Sequence, residues 1–167
     1  MSTSDDIVHH KQYRYCTTRL KYRQGRELKA VKVYTVANES SHLLCFGVPK
    51  INLYNELKQS FRKFGELCHV HNVTSELVEK GAELEAFTEV FWIKFKKIFD
   101  ARKAKKYLDA KEFYGGILHI SYAPEYETLE ELRNKLNHRI SELKYRLKFN
   151  EQQYKIMKSE DSNENQN

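Results

Sequence analysis

The sequence predicts an α+β domain: a four-stranded antiparallel sheet with two helices on one face, preceded by a basic arm and followed by a long helix. Three observations lead there. Apolar runs within residues 43–123 alternate in the order β-α-β-β-α-β. Residues 7–36 hold eight Lys/Arg against the single acid Glu27, a net of +7 in a chain whose total is +6. Beyond Pro124, leucines step by three or four residues with no Gly or Pro to interrupt them.

Each element has its own signal. Ala30–Val36 alternates apolar and polar residues, is rich in β-branched side chains, and reads as an extra N-terminal strand. Leu43–Pro49 reads as a short strand stopped by Gly47 and Pro49. Leu53, Leu57, Phe61 and Phe64 recur at helical spacing over 52–64, with Gly65 as the stop. Leu67–Val73 is a third extended run, and the acidic stretch 74–85 is a loop or a helical insert. Phe87–Phe95 is the strongest strand, with Phe91, Ile93 and Phe95 on one face and Val90, Trp92 and Lys94 on the other. Residues 98–110 form a helix with a stripe of Ala101, Ala104 and Leu108, and Gly115-Gly116 turns into a last strand, Ile117–Tyr122. Thr128 with Glu131 matches a capping box. Leu129, Leu132, Leu136, Ile140, Leu143, Leu147, Tyr154 and Met157 mark one face of the helix it opens. The expected divisions are an arm at 1–29, a domain at 30–126, an amphipathic helix at 127–158 and a disordered tail at 159–167.

Composition excludes several classes. No run approaches the roughly 18 apolar residues of a membrane span, and MSTSDDIVHH lacks the apolar stretch of a secretory signal. Three scattered cysteines make no disulfide framework. Cys68-His69-Val70-His71 puts two imidazoles on one strand face but has no second ligand pair, so no metal and no cofactor is expected. No nucleophile motif or carboxylate pair suggests an enzyme. Cys45 reads as a core thiol and His9-His10 as part of a mobile tail.

Arginines and lysines interleaved with tyrosines suit a polyphosphate ligand, cations meeting phosphates and rings meeting bases. The arm candidates are Tyr13, Arg14, Tyr15, Arg19, Lys21, Tyr22, Arg23, Arg26, Lys32 and Tyr34. The sheet adds Phe46, Trp92, Lys94 and His119. An acidic protein partner would suit the arm's charge as well.

The series Leu57-x-x-x-Phe61-x-x-Phe64-Gly65-x-Leu67, Ala101-x-x-Ala104-x-x-x-Leu108, Phe113-x-x-Gly116-x-Leu118 and Tyr122-Ala123 resembles an RNA recognition motif. In that family, strand aromatics on the open sheet face stack bases. Here Leu44 stands at the first aromatic position; Thr88, Glu89 and Val90 replace the basic, glycine and aromatic positions of the other motif, and Trp92 keeps its ring. Losing two platforms removes roughly 2–6 kcal/mol from base stacking. Trp92 is either a base platform or is covered by the C-terminal helix or a partner.

Ala30–Val36, Gly47-Val48-Pro49, Phe87–Phe95, Phe113–His119 and Tyr122–Thr128 together resemble the RNA-binding protein 48 family. That resemblance implies a nuclear protein assisting the splicing of minor, U12-type introns. It implies an armadillo-repeat partner, minor spliceosome components, and action near the capped 5′ end of U6 small nuclear RNA. Length suggests where a partner would bind. A helix of about 29 residues spans roughly 43 Å, more than a small domain can cover, so Leu136, Ile140, Leu143, Leu147 and Tyr154 are the candidate partner surface.

Overall fold

In the computed structural model of the protein, the structure describes His10 and residues 34–164. Two compact units, divided between Glu127 and Thr128, are described separately.

The first unit holds β1 (His42–Pro49), α1 (Tyr54–Arg62), β2 (Leu67–Asn72), α2 (Thr74–Glu79), β3 (Thr88–Phe95), α3 (Ile98–Leu108), β4 (Glu112–Phe113), β5 (Gly116–Ile117) and β6 (His119–Tyr122), then a 3₁₀ turn at Pro124–Tyr126. The strands make an antiparallel sheet in the order β2-β3-β1-β6, with β4 and β5 as a separate hairpin. This is the expected βαββαβ arrangement. Phe91, Ile93, Phe95, Leu57, Phe61, Ala104 and Leu118 are all buried in the core. Period-2 alternation on the strands and i, i+4 spacing on the helices place them there.

Local chemistry moves several boundaries. Asn52 has φ +60° and Leu53 is non-helical, so α1 begins at Tyr54. Gly65 is not a left-handed stop; a Cβ there would collide with the Asp100 side chain, so glycine is required by close approach. Gly47 does not stop β1 but sits inside it at φ +77°, where the register with β3 shifts between Cys45 and Val48. Phe87 has φ +59° and is exposed, which delays β3 to Thr88. Ala110 at φ +60° confines α3 to Leu108. The single last strand is in fact two: Tyr114 and Gly115, both at positive φ, form the tight turn of the β4–β5 hairpin, and β6 follows separately.

The strand expected at 30–36 is not formed in its described part. Tyr34 and Thr35 are irregular and residues 36–38 turn, with the Asn38 and Glu39 amides donating to the Thr35 carbonyl at 3.0 Å. Residues 30–33 lie outside the described residues.

The second unit is α4 (Leu129–Glu164), about 54 Å long at 1.5 Å per residue. Its capping box is formed: the Thr128 amide donates to Glu131 Oε2 at 2.9 Å, and the Glu131 amide to Thr128 Oγ1 at 3.2 Å. The helix passes residue 158, where a tail was expected, because no Gly or Pro breaks it before Glu164. Among the described residues, no helix is long and apolar enough to cross a membrane.

Candidate nucleic-acid interface

Alternation along β1, β3 and β6 turns His42, Leu44, Phe46, Val90, Trp92, Lys94, His119 and Ser121 away from α1 and α3. This outer face, read from the sequence as either a base platform or a covered surface, is covered in part by the domain's own elements. Val73, Leu77, Leu44, Val90 and Ala123 form a second buried cluster, with Phe46, Ala82, Leu84, Trp92 and Tyr126 packed around it. The acidic stretch supplies the cover. Asn72 starts it, its side-chain oxygen accepting from the Thr74 amide and hydroxyl at 3.0 and 2.6 Å. The following turn of helix then lays Leu77 over the strands. Leu44 is therefore fully buried, not merely a poor stacking residue.

Trp92 is the centre of what remains. Its Nε1–H donates to His42 Nδ1 at 3.1 Å, and the two rings lie 11° apart, an edge-to-edge pairing that fixes the indole plane. Tyr126 stacks on it with centroids 5.2 Å apart and 20° between planes. His69 and His71, both exposed, lie 18° and 15° from parallel at 6.0 and 6.3 Å. The cover on Trp92 thus comes from the 3₁₀ turn before the long helix. The Tyr126 hydroxyl oxygen is buried and lacks a hydrogen-bond partner among the described residues. Burial, then the nearby Glu125 and Glu76 carboxylates, pushes its ionisation up.

Phe46 lies toward the other edge. Its ring borders a cleft of about 320 Å³ lined also by His10, His119, Glu83, Glu85 and Thr88, a size that would take a nucleobase. His10 and His119 approach the Phe46 ring at 5.9 and 5.8 Å.

His10 overturns the mobile-tail reading. It is 5% exposed. Ser121 donates to its Nδ1 at 2.5 Å, and its Nε2–H donates to Glu125 at 2.7 Å. Its carbonyl accepts from His119 Nε2 at 2.8 Å. Hydrogen bonds to Ser121, Glu125 and His119 explain why a residue with polar neighbours in sequence is held.

Tyr34 is displaced from the expected surface. Its ring meets Tyr122 edge-on at 5.0 Å and packs against the main core, while the Lys105 ammonium sits 5.2 Å from its centroid. Lys105 is 8% exposed, donating to Asp109 at 3.0 Å and to the Ile120 carbonyl. Burial alone would raise the Asp109 carboxyl; His119, the Lys105 charge and the Ile120 amide outweigh it and hold it at about 2. Burial pushes the Cys45 thiol up, as befits an inert core residue.

Of the expected contacts, Phe46, Trp92, Lys94 and His119 share the outer face, and Tyr34 does not. Tyr13, Arg14, Tyr15, Arg19, Lys21, Tyr22, Arg23, Arg26 and Lys32 lie outside the described residues. Leu136, Ile140, Leu143, Leu147 and Tyr154 are exposed along α4. His10, His42, Ser121 and Tyr126 were missed. Among the described residues, no group of three His, Cys, Asp or Glu could hold a metal ion.

No protein-family profile matches the chain. It is 47% identical over 131 residues to RNA-binding protein 48 of Danio rerio and, equally, of Mus musculus, covering 78% of this chain and 34% of each of those proteins. Identity to the Homo sapiens protein is 46% over the same length. The chain thus spans about a third of the length of the curated relatives it matches. Among solved structures, the Pes4 RRM3 domain aligns with a TM-score of 0.43 at 16% identity, covering 53% of this chain and 98% of that one. The Mip6 RRM3 domain aligns at 0.40 and 15%, covering 49% and 90%. In sequence, over 78% of its length, the chain is a homologue of the RNA-binding protein 48 family, and its sheet and helices have the architecture of an RNA recognition motif.

Proposed function

We propose that this protein is an RNA-binding accessory factor in the nucleus that assists minor, U12-type intron splicing. In this reading it acts near the 5′ end of U6 small nuclear RNA with an armadillo-repeat partner and other minor spliceosome components. The observation that supports RNA binding most is the seat of His10. His10 is held beside the Phe46 cleft and directly precedes Lys11, the first of the basic residues in sequence, so cations and an aromatic ring can serve one strand.

The partner belongs on α4. Leu136, Ile140, Leu143, Leu147 and Tyr154 form an exposed stripe whose burial is worth about 25 cal/mol per Å². Lys135, Arg139, Lys144, Arg146 and Lys148 flank the stripe against Glu142, which pairs with Arg139 at 3.0 Å, so the flank is basic on balance and a second copy would oppose it with like net charge. A helical-repeat groove with acidic rims suits it better.

One observation favours a second reading, an adaptor that does not bind RNA by its sheet: Leu44 is buried and Tyr126 covers Trp92. Crosslinking of the tagged protein in cells separates the two. The wild type is expected to crosslink to U6 RNA and to recover the partner. Leu143→Asp with Leu147→Asp is expected to lose the partner while the first unit stays folded by circular dichroism. Absence of RNA crosslinks would favour the adaptor, and partner recovery by the double variant would place the interface elsewhere.

A further inference from the structure

We propose that the Tyr126 ring is a stand-in for a nucleobase, holding the face of Trp92 on which an unpaired base of single-stranded RNA stacks, and that RNA binds there by turning the Pro124–Tyr126 segment out. This rests on the RNA-binding reading above and adds a gated second base site, apart from the Phe46 cleft.

Three features carry it. The first is a preformed platform. The hydrogen bond from Trp92 Nε1 to His42 holds the indole plane, and the exposed His69 and His71 rings lie nearly parallel to it. A flat ring at 5.2 Å and 20° is what this surface accepts, and Tyr126 supplies one from the chain itself. A base has the same π face and stacks on tryptophan with little regard to its identity.

The second is the unmet hydroxyl. A buried tyrosine normally finds a partner for its O–H, yet the Tyr126 oxygen has none among the described residues and is sealed from solvent. Closure therefore carries a desolvation penalty that opening relieves. The closed form is held by stacking and apolar contact against this opposing cost, as a displaceable cover would be.

The third is the hinge. Ala123 is tied to the sheet by its amide, which donates to the His42 carbonyl at 3.0 Å. The turn's backbone bonds, from Tyr126 to Ala123 and from Glu127 to Pro124, close on the turn itself. The segment can rotate about Ala123–Pro124 without breaking a strand-to-strand bond. Opening gives up the bond from His10 to Glu125 of the same turn, while Ser121 and His119 keep His10 at the edge of the sheet.

Trp92 is the only tryptophan, so its fluorescence reports this site alone. The full chain is titrated with a random-sequence single-stranded decaribonucleotide, reading Trp92 quenching and, separately, the polarisation of a fluorescein on the RNA. The affinity seen at a gated site falls with the open fraction. Tyr126→Ala should therefore redden the emission before RNA is added and halve it at several-fold lower RNA. Tyr126→Phe removes the unmet hydroxyl, favours closure, and should need roughly five-fold more RNA with a raised melting temperature. Opposite shifts in the two variants would establish the gate, and Phe is conservative enough to be read even if Ala loosens the fold. Equal midpoints in all three proteins would overturn it. So would RNA binding by polarisation with unchanged Trp92 emission, which would leave RNA binding intact and assign the face to a protein. No polarisation change in any variant would remove the RNA reading and the gate together.

Discussion

Gly47→Val is expected to cost about 4 kcal/mol or more and to lower the melting temperature by more than roughly 10 °C. At φ +77° an L-residue pays roughly 1–2 kcal/mol before any contact is considered, and a β-branched side chain fares worse. A Cβ at this position would also run into the Ile117 carbonyl, which belongs to backbone and cannot swing aside. The bulge lies in β1, the strand that pairs with both β3 and β6, so local displacement spreads across the sheet. Thermal melts followed by circular dichroism measure this. A loss under 1 kcal/mol would mean that the bulge relaxes freely.

Lys105→Met is expected to destabilise the domain by about 3 kcal/mol at neutral pH, at the low end for breaking a buried ion pair. The variant keeps the length of the side chain but strands two groups, the Asp109 carboxylate and the Ile120 carbonyl. Asp109 still accepts from the Ile120 amide at 2.9 Å, which limits the damage. The pH dependence has a definite sign. Asp109 sits at about 2 in the folded protein, below its ordinary value of 3.8. Its contribution is complete above pH 4 and is lost as pH falls toward 2, where the folded carboxyl protonates. Without the Lys105 charge the folded carboxyl rises, so the acid limb of the variant should begin at higher pH. Urea melts across pH 2–7 would read both effects. An unchanged acid limb would show that Lys105 does not set the carboxyl.

The core was legible because strand alternation and helical spacing report directly which side chains share a face. Phe91, Ile93, Phe95, Leu57 and Phe61 needed nothing more. Lys105 was not legible: it follows Ala104 on a narrow stripe, and only the fold brings Asp109 and the Ile120 carbonyl to its ammonium. The state of the outer face was half legible. Trp92 and Val90 out of phase with the core announced an apolar patch on the far side. What covers it depends on Leu77 and Tyr126, which follow Val73 and Trp92 by 4 and 34 residues in the sequence. Val73 and Leu77 do stand at i, i+4, a signal that an insert would fold back as a short amphipathic turn. His10 carried no signal, since its partners Ser121 and Glu125 lie more than 100 positions away.

In the function proposed above, the basic arm grips RNA from the place where His10 is seated. The most direct test keeps His10 and changes Arg14, Arg19, Lys21, Arg23 and Arg26 together to Gln, then measures affinity for single-stranded RNA across a salt series. Each phosphate contact adds about 0.7 to the log–log slope. The slope of the variant should therefore fall by up to roughly 3.5, with much weaker binding at low salt and the same melting temperature. A slope and affinity equal to those of the wild type would contradict the claim and give the arm to a protein partner.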